Sequence, residues 1–181
     1  MNLTNHFLVA MPTMQDPQFK QSVIYLCEHN NEGAMGIIIN QPIDISIADM
    51  LEQIEIERKL PVADPISLES LGLNGGPVSE DRGFVLHTTK GEYSSSLPVN
   101  NELAVTTSLD ILSELGTAQA PNQFLVALGY AGWDAVNWSK SWLITIGSPL
   151  KQMTPLFFPL LSTNVGIKQL KNLALHQQTF L

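Results

Sequence analysis

The chain has 181 residues, 44% of them hydrophobic and 14% charged, which is enough apolar material for a sizeable core and excludes a wholly disordered chain. Nine basic residues against seventeen acidic ones leave a formal charge of −8. That balance opposes the basic footprint phosphate recognition requires, so direct nucleic-acid binding by the isolated protein is not expected.

In chain order, His6–Met11 predicts a short strand closed by Pro12. The stretch Ser22–Pro42 then carries two apolar runs, Val23–Cys27 and Met35–Ile39, joined by a polar segment with Asn30, Asn31 and Gly33. It reads as a hairpin at the centre of a sheet. Ser46 is a helix N-cap with Asp49 behind it, and Ile47, Met50, Leu51 and Ile54 form one apolar helical face of about three turns. Asp64–Leu71 reads as an irregular edge strand, and Leu73–Val78, with two glycines and Pro77, as a turn between core elements. Gly83–His87 predicts a strand, Thr88–Pro98 a polar loop with a weak strand around Tyr93, and Leu103–Thr106 another strand. Thr107 caps a helix with Ile111, Leu112 and Leu115 on its apolar face, stopped by Gly116. Phe124–Tyr130 predicts a strand buried on both faces, followed by a Gly–Trp corner and a last strand at Trp142–Ile146. Ile167, Leu170 and Ala174 predict a terminal helix. Short strands and separate helices without regular alternation imply an α+β fold, and with no linker or repeat the expectation is one domain over residues 1–181.

The single cysteine cannot form an internal disulfide. The opening MNLTNHFLVAMP lacks a basic region and a long apolar run, and no transmembrane segment is expected, so the reading is a cytoplasmic protein without a membrane partner.

Candidate chemistry is sparse. Cys27 and His29 share one face of an ideal strand while Glu28 points the other way, and a lone cysteine in an apolar strand reads as core rather than nucleophile. Gly75 and Gly76 offer an anion nest, but without the lysine and hydroxyl of a P-loop, and a tight turn is the stronger reading. The four histidines have no zinc-type spacing, and GxSxG, HExxH and CxxC are absent, so no metal and no cofactor are expected. His87 at a strand end, near Glu80 and Asp81, is a candidate for acid–base work. Trp133, Trp138 and Trp142 form either a stacking platform or a packed core corner, the second being favoured for rings this large. Asp134 is the single carboxylate between Trp133 and Trp142, too few oxygens for a divalent ion at that corner.

The segments HFLVAMPTMQDPQFKQSVIYLCEHNNEGAMGIIINQP, GGPVSEDRGFVLH, TTSLDIL and ALGYAGW, in this order, resemble the AlgH/YqgE family of bacterial proteins over about residues 6–133. The resemblance implies a single α+β domain of coiled, bifurcated β-sheets. It also brings a label of transcriptional regulator, taken from a member tied to control of alginate production, and no established active site. After Trp133 the chain reads DAVNWSKSWL, shorter than the acidic stretch usual in the family. The reading is therefore a non-enzymatic protein acting through a protein or small-ligand partner. The alternative is a small-molecule binder or enzyme whose pocket is lined by the glycine motifs with His29, Arg82 and His87. The site candidates taken together are Cys27, His29, Asn30, Gly75, Gly76, Arg82, His87 and Trp133.

Overall fold

Short β-branched runs punctuated by Gly, Asn and Pro favour hairpins over long helices, and the computed structural model, which describes residues 2–11, 13–138 and 143–146, shows how they join. β1 (Phe7–Ala10), β2 (Val23–Asn30) and β3 (Gly33–Ile38) pair antiparallel in sequence order. β4 (Pro42–Ser46) leads into helix α1 (Ile47–Gln53), and one helical turn, α2 (Pro65–Leu68), precedes β5 (Leu71–Asn74). Then come β6 (Val78–Thr88), β7 (Ser96–Pro98) and β8 (Leu103–Thr106). Helix α3 (Leu109–Glu114), β9 (Phe124–Asp134), the short α4 (Ala135–Trp138) and β10 (Leu143–Ile146) follow. The hydrogen-bonded order is β10-β1-β2-β3-β9-β6-β8-β7, with β5 joining β4 to β9 off that path.

The sheet forks at β9. Ala127 pairs with Leu73 of β5 and with Phe84 of β6, so those strands hold opposite edges. Further along, Ala131–Asp134 pair with Gly36–Gly33 of β3. The β5–β9 ladder is parallel and the others are antiparallel. The result is an α+β fold with a curled, mostly antiparallel sheet and a few packed helices, as the sequence implies.

Three apolar clusters fill the layers. The first lies between the two halves of the curl and takes alternate residues of each: Val23, Tyr25, Cys27, Ile37 and Ile39 against Phe84, Leu86, Leu103 and Val105. The second packs Ile47, Leu51, Leu68, Ile111, Leu112 and Leu115 of the helices and their ends on Val85 and Val126. The third, on the outer side of the β1–β3 half, gathers Leu8, Ile24, Leu26, Ala34, Ile38 and Ala131 beneath Phe19, Trp133 and Trp138. Asn5 ties the halves together, its Oδ1 accepting from Tyr25 Oη at 2.7 Å and from Asn100 Nδ2 at 2.9 Å.

Several elements differ from the sequence reading. Ser46 caps α1 through Asp49 as expected, but the helix ends at Ile54, which is 51% exposed. An apolar residue at i+7 continued the helical period without meeting a core. Asp64–Leu71 is not an edge strand: Asp64 caps the turn α2, where Pro65 suits the first helical position, and only Leu71 joins the sheet. Ser108, not Thr107, is the N-cap of α3. The strand expected near Tyr93 forms at Ser96–Pro98. No corner follows Tyr130, because β9 runs on through Trp133 to pair with β3. Trp142 and the helix expected at Ile167–Ala174 lie outside the described residues.

Candidate binding groove

Two interruptions of the ladders determine which side chains reach the concave side. The first is in β2. Leu26 pairs with Gly36 and Glu28 with Met35, so Cys27 is an extra residue, a β-bulge. The bulge changes the facing expected of an ideal strand. Cys27 stays in the inner core, Glu28 falls on the same side next to Met35, and His29, paired with Ala34, turns to the outer side. The second interruption is in β6. Val78 pairs with Tyr130 and Gly83 with Leu128, leaving Ser79–Arg82 opposite the single residue Gly129. Ser79 takes a left-handed φ of 53° at the start of that excursion, and Arg82 ends it.

That excursion depends on two glycines. A Cβ on Gly129 (φ 71°) would lie 2.3 Å from the Gly76 carbonyl oxygen and 3.0 Å from that of Val78. A Cβ on Gly76 (φ 144°) would lie 2.4 Å from the Tyr130 carbonyl oxygen. The chain therefore crosses β9 backbone to backbone.

Glu28 and Arg82 both line a groove of about 880 Å³ that continues the inner core outward. Its floor is apolar: Met35, Val78, Phe84, Leu97, Val105 and Tyr130. Its rim is polar: Asn30, Ser79, Ser94, Ser95, Ser96 and Thr107 beside the two charged residues, with Trp133 at one side. Asn30 Nδ2 donates to Glu28 Oε1 at 3.2 Å, while its own Oδ1 accepts from the Glu32 and Gly33 amides and shapes the β2–β3 turn. Arg82 and Glu28 are exposed, and no hydrogen bond or ion pair holds the Arg82 guanidinium among the described residues.

Of the eight candidates named from sequence, Asn30, Arg82 and Trp133 meet at this groove. The other five are used elsewhere. Cys27 is 1% exposed in the inner core, and burial pushes its thiol far above the ordinary range. His29 Nδ1 accepts from the Leu3 amide at 2.9 Å and its ring lies 4.6 Å from that of Trp138; desolvation lowers its pKa. His87 is buried on the helix side, with Nδ1 2.9 Å from the Thr88 carbonyl oxygen and Nε2 2.8 Å from Thr106 Oγ1. The Gly75 amide donates to the Leu128 carbonyl and the Gly76 amide to Asn74 Oδ1, so neither is left for an anion. Trp133 packs 6.0 Å from Phe19 and 5.7 Å from Trp138, which makes it partly a core residue and partly a groove wall. Asp134 caps α4, accepting from the Val136 and Asn137 amides at 3.0 and 2.7 Å.

Met35, Ser79, the serines at 94–96 and Tyr130 are groove residues that the sequence did not single out, and Glu28 was weighed only beside Cys27 and His29. Only the glycine and charge content of GGPVSEDRG signalled the β6 excursion, and nothing in a five-residue window marked the bulge at Cys27. Among the described residues no three His, Cys, Asp or Glu side chains gather as a metal cluster, and no helix is long and apolar enough to cross a membrane.

The fold and groove define a class: a small α+β protein with a half-barrel sheet and an apolar groove rimmed by opposite charges. By family, the chain belongs to the AlgH-like proteins, whose model matches residues 7–140. A UPF0301 protein of Photobacterium profundum is 69% identical over 135 residues, 75% of this chain and 72% of that one. A UPF0301 protein of Vibrio cholerae is 58% identical over the same shares. The solution structure of the AlgH protein from Pseudomonas aeruginosa is similar with a TM-score of 0.66 and 43% identity, covering 81% of this chain and 77% of that one. A Corynebacterium diphtheriae protein, 18% identical with a TM-score of 0.58, covers 89% of this chain and 92% of its own and shares the fold.

Proposed function

We propose that this protein is a non-enzymatic binding protein whose groove takes a small organic ligand, with any effect on transcription following indirectly from ligand binding. The observation that carries this reading is the groove itself: an apolar floor continuous with the core, a hydroxyl-rich rim, and an arginine with no partner among the described residues. That combination is what ligand pockets use, with apolar area for affinity and a few polar groups for orientation. A hydrolytic or group-transfer site needs a nucleophile within reach of a base. Here the histidines at 29 and 87 are held in contacts on other faces, the one cysteine is sealed in the core beneath, and the groove lining contains none of these residue types. The strongly acidic sequence favours small ligands or protein surfaces over nucleic acid as partners.

The test is a titration of ¹⁵N-labelled protein with a set of drug-sized aromatic and aliphatic compounds. Shifts should cluster on Met35, Arg82, Leu97 and Tyr130, and Tyr130→Ala should weaken the binding about tenfold, in line with loss of a buried aromatic contact. Shifts that avoid these residues for every compound would overturn the reading.

A further inference from the structure

We infer that the ligand is zwitterionic, a short peptide or peptide-like molecule with free ends: an anionic group meets Arg82, a cationic group meets Glu28, and an apolar side chain lies on Met35 and Tyr130. This inference rests on the groove being a ligand site and names the class of ligand.

The two charged residues arrive by independent distortions of the sheet. Without the bulge at Cys27, Glu28 would face outward like its neighbours in strict alternation. Without the four-residue excursion opposite Gly129, β6 would run in register from Val78 onward, and Arg82 would occupy a regular ladder position. Bulges are retained where they re-aim a side chain, and here both aim opposite charges at one groove. The chain invests further in the excursion, accepting a left-handed Ser79 and requiring glycine at 76 and 129. The charges do not neutralise each other: no Glu28–Arg82 ion pair forms, and the Glu28 contact is with the Asn30 amide. Neither charge alone predicts the other, since a site for a simple anion has no use for a rim carboxylate. A groove of about 880 Å³ exceeds what a single amino acid fills and suits a ligand of a few residues. Its serine and threonine rim supplies hydroxyl partners for peptide amides.

The probes are trileucine with free ends, its N-acetylated form and its C-terminal amide, titrated into the ¹⁵N-labelled protein. Free trileucine should bind in the groove, and either cap should weaken it about tenfold, the scale of a lost charge-assisted contact. In Arg82→Ala the amide and free forms should bind alike, and in Glu28→Gln the acetylated and free forms should bind alike. Both substitutions are on exposed side chains, so folding should survive them. If the groove takes neutral apolar compounds but binds all three peptides equally, or none of them, this inference fails and the binding reading stands. If no compound of either kind reaches the groove, both fail.

Discussion

His87 is carried into the fold as a neutral ring. A carbonyl can only accept, so the contact with Thr88 requires a proton on Nδ1 and leaves Nε2 to face the Thr106 hydroxyl. Burial holds its pKa below the ordinary value of 6.5, with the Thr88 bond acting in the opposite sense. The unfolded chain takes up a proton as pH falls through about 6.5 while the folded ring does not. Stability is thus complete above that pH and declines below it, by up to about 1.4 kcal/mol per pH unit for this buried ring. His29, lowered by desolvation too, acts in the same direction. Urea unfolding midpoints should fall between pH 7.5 and pH 5, and His87→Gln should flatten the curve without removing it. A midpoint that is constant over that range would contradict the buried neutral ring. The same residue shows where sequence reading stops. A histidine at a strand end beside two acids looked like an acid–base candidate, and only the partner strand, carrying Thr106, shows that both nitrogens have structural tasks. Arg82, named from sequence as a pocket candidate within its glycine-bounded polar stretch, is exposed at the groove.

Among the elements, strands with strong periodicity were readable and their interruptions were not. Leu103–Thr106 and the β2–β3 hairpin follow from apolar runs ended by turn residues. β4 was missed because its apolar face is only Ile43 and Ile45, set between Pro42, Asp44 and Ser46, and its place in the sheet comes from pairing with β5. The Gly–Trp corner was misread because a glycine in a strand signals either a turn or a close approach: Gly132 stays in the ladder opposite Met35 with the Tyr130 ring against it, and Gly129 just before it is where backbone meets backbone. The crossing of Gly76 over Gly129 gives this a measurable form. Gly129→Ala would push a methyl group against two carbonyls that belong to paired backbone, which cannot yield as a side chain does. The expected loss is at least about 3 kcal/mol, combining overpacking with a disfavoured φ. Thermal unfolding would report it, and a change below about 1 kcal/mol would mean the two strands are free to separate.

At the scale of the whole molecule, β9 has a consequence for how the protein is made. Synthesis delivers the chain from its N-terminus, and domains fold as units once their parts are present. β3, β5 and β6 each find a partner in β9, yet all three leave the ribosome long before residues 124–134 do. β1 waits longer still for β10. A nascent chain ending before Phe124 holds local hairpins with open edges and no strand to join them, and long-range pairing of this kind is slow to form. Native structure should therefore appear late and all at once, with β9 acting as its keystone. Hydrogen exchange on the finished protein should find the slowest amides in the middle of β9, around Val126–Leu128, and pulse proteolysis of stalled chains should show no protection until that segment has emerged.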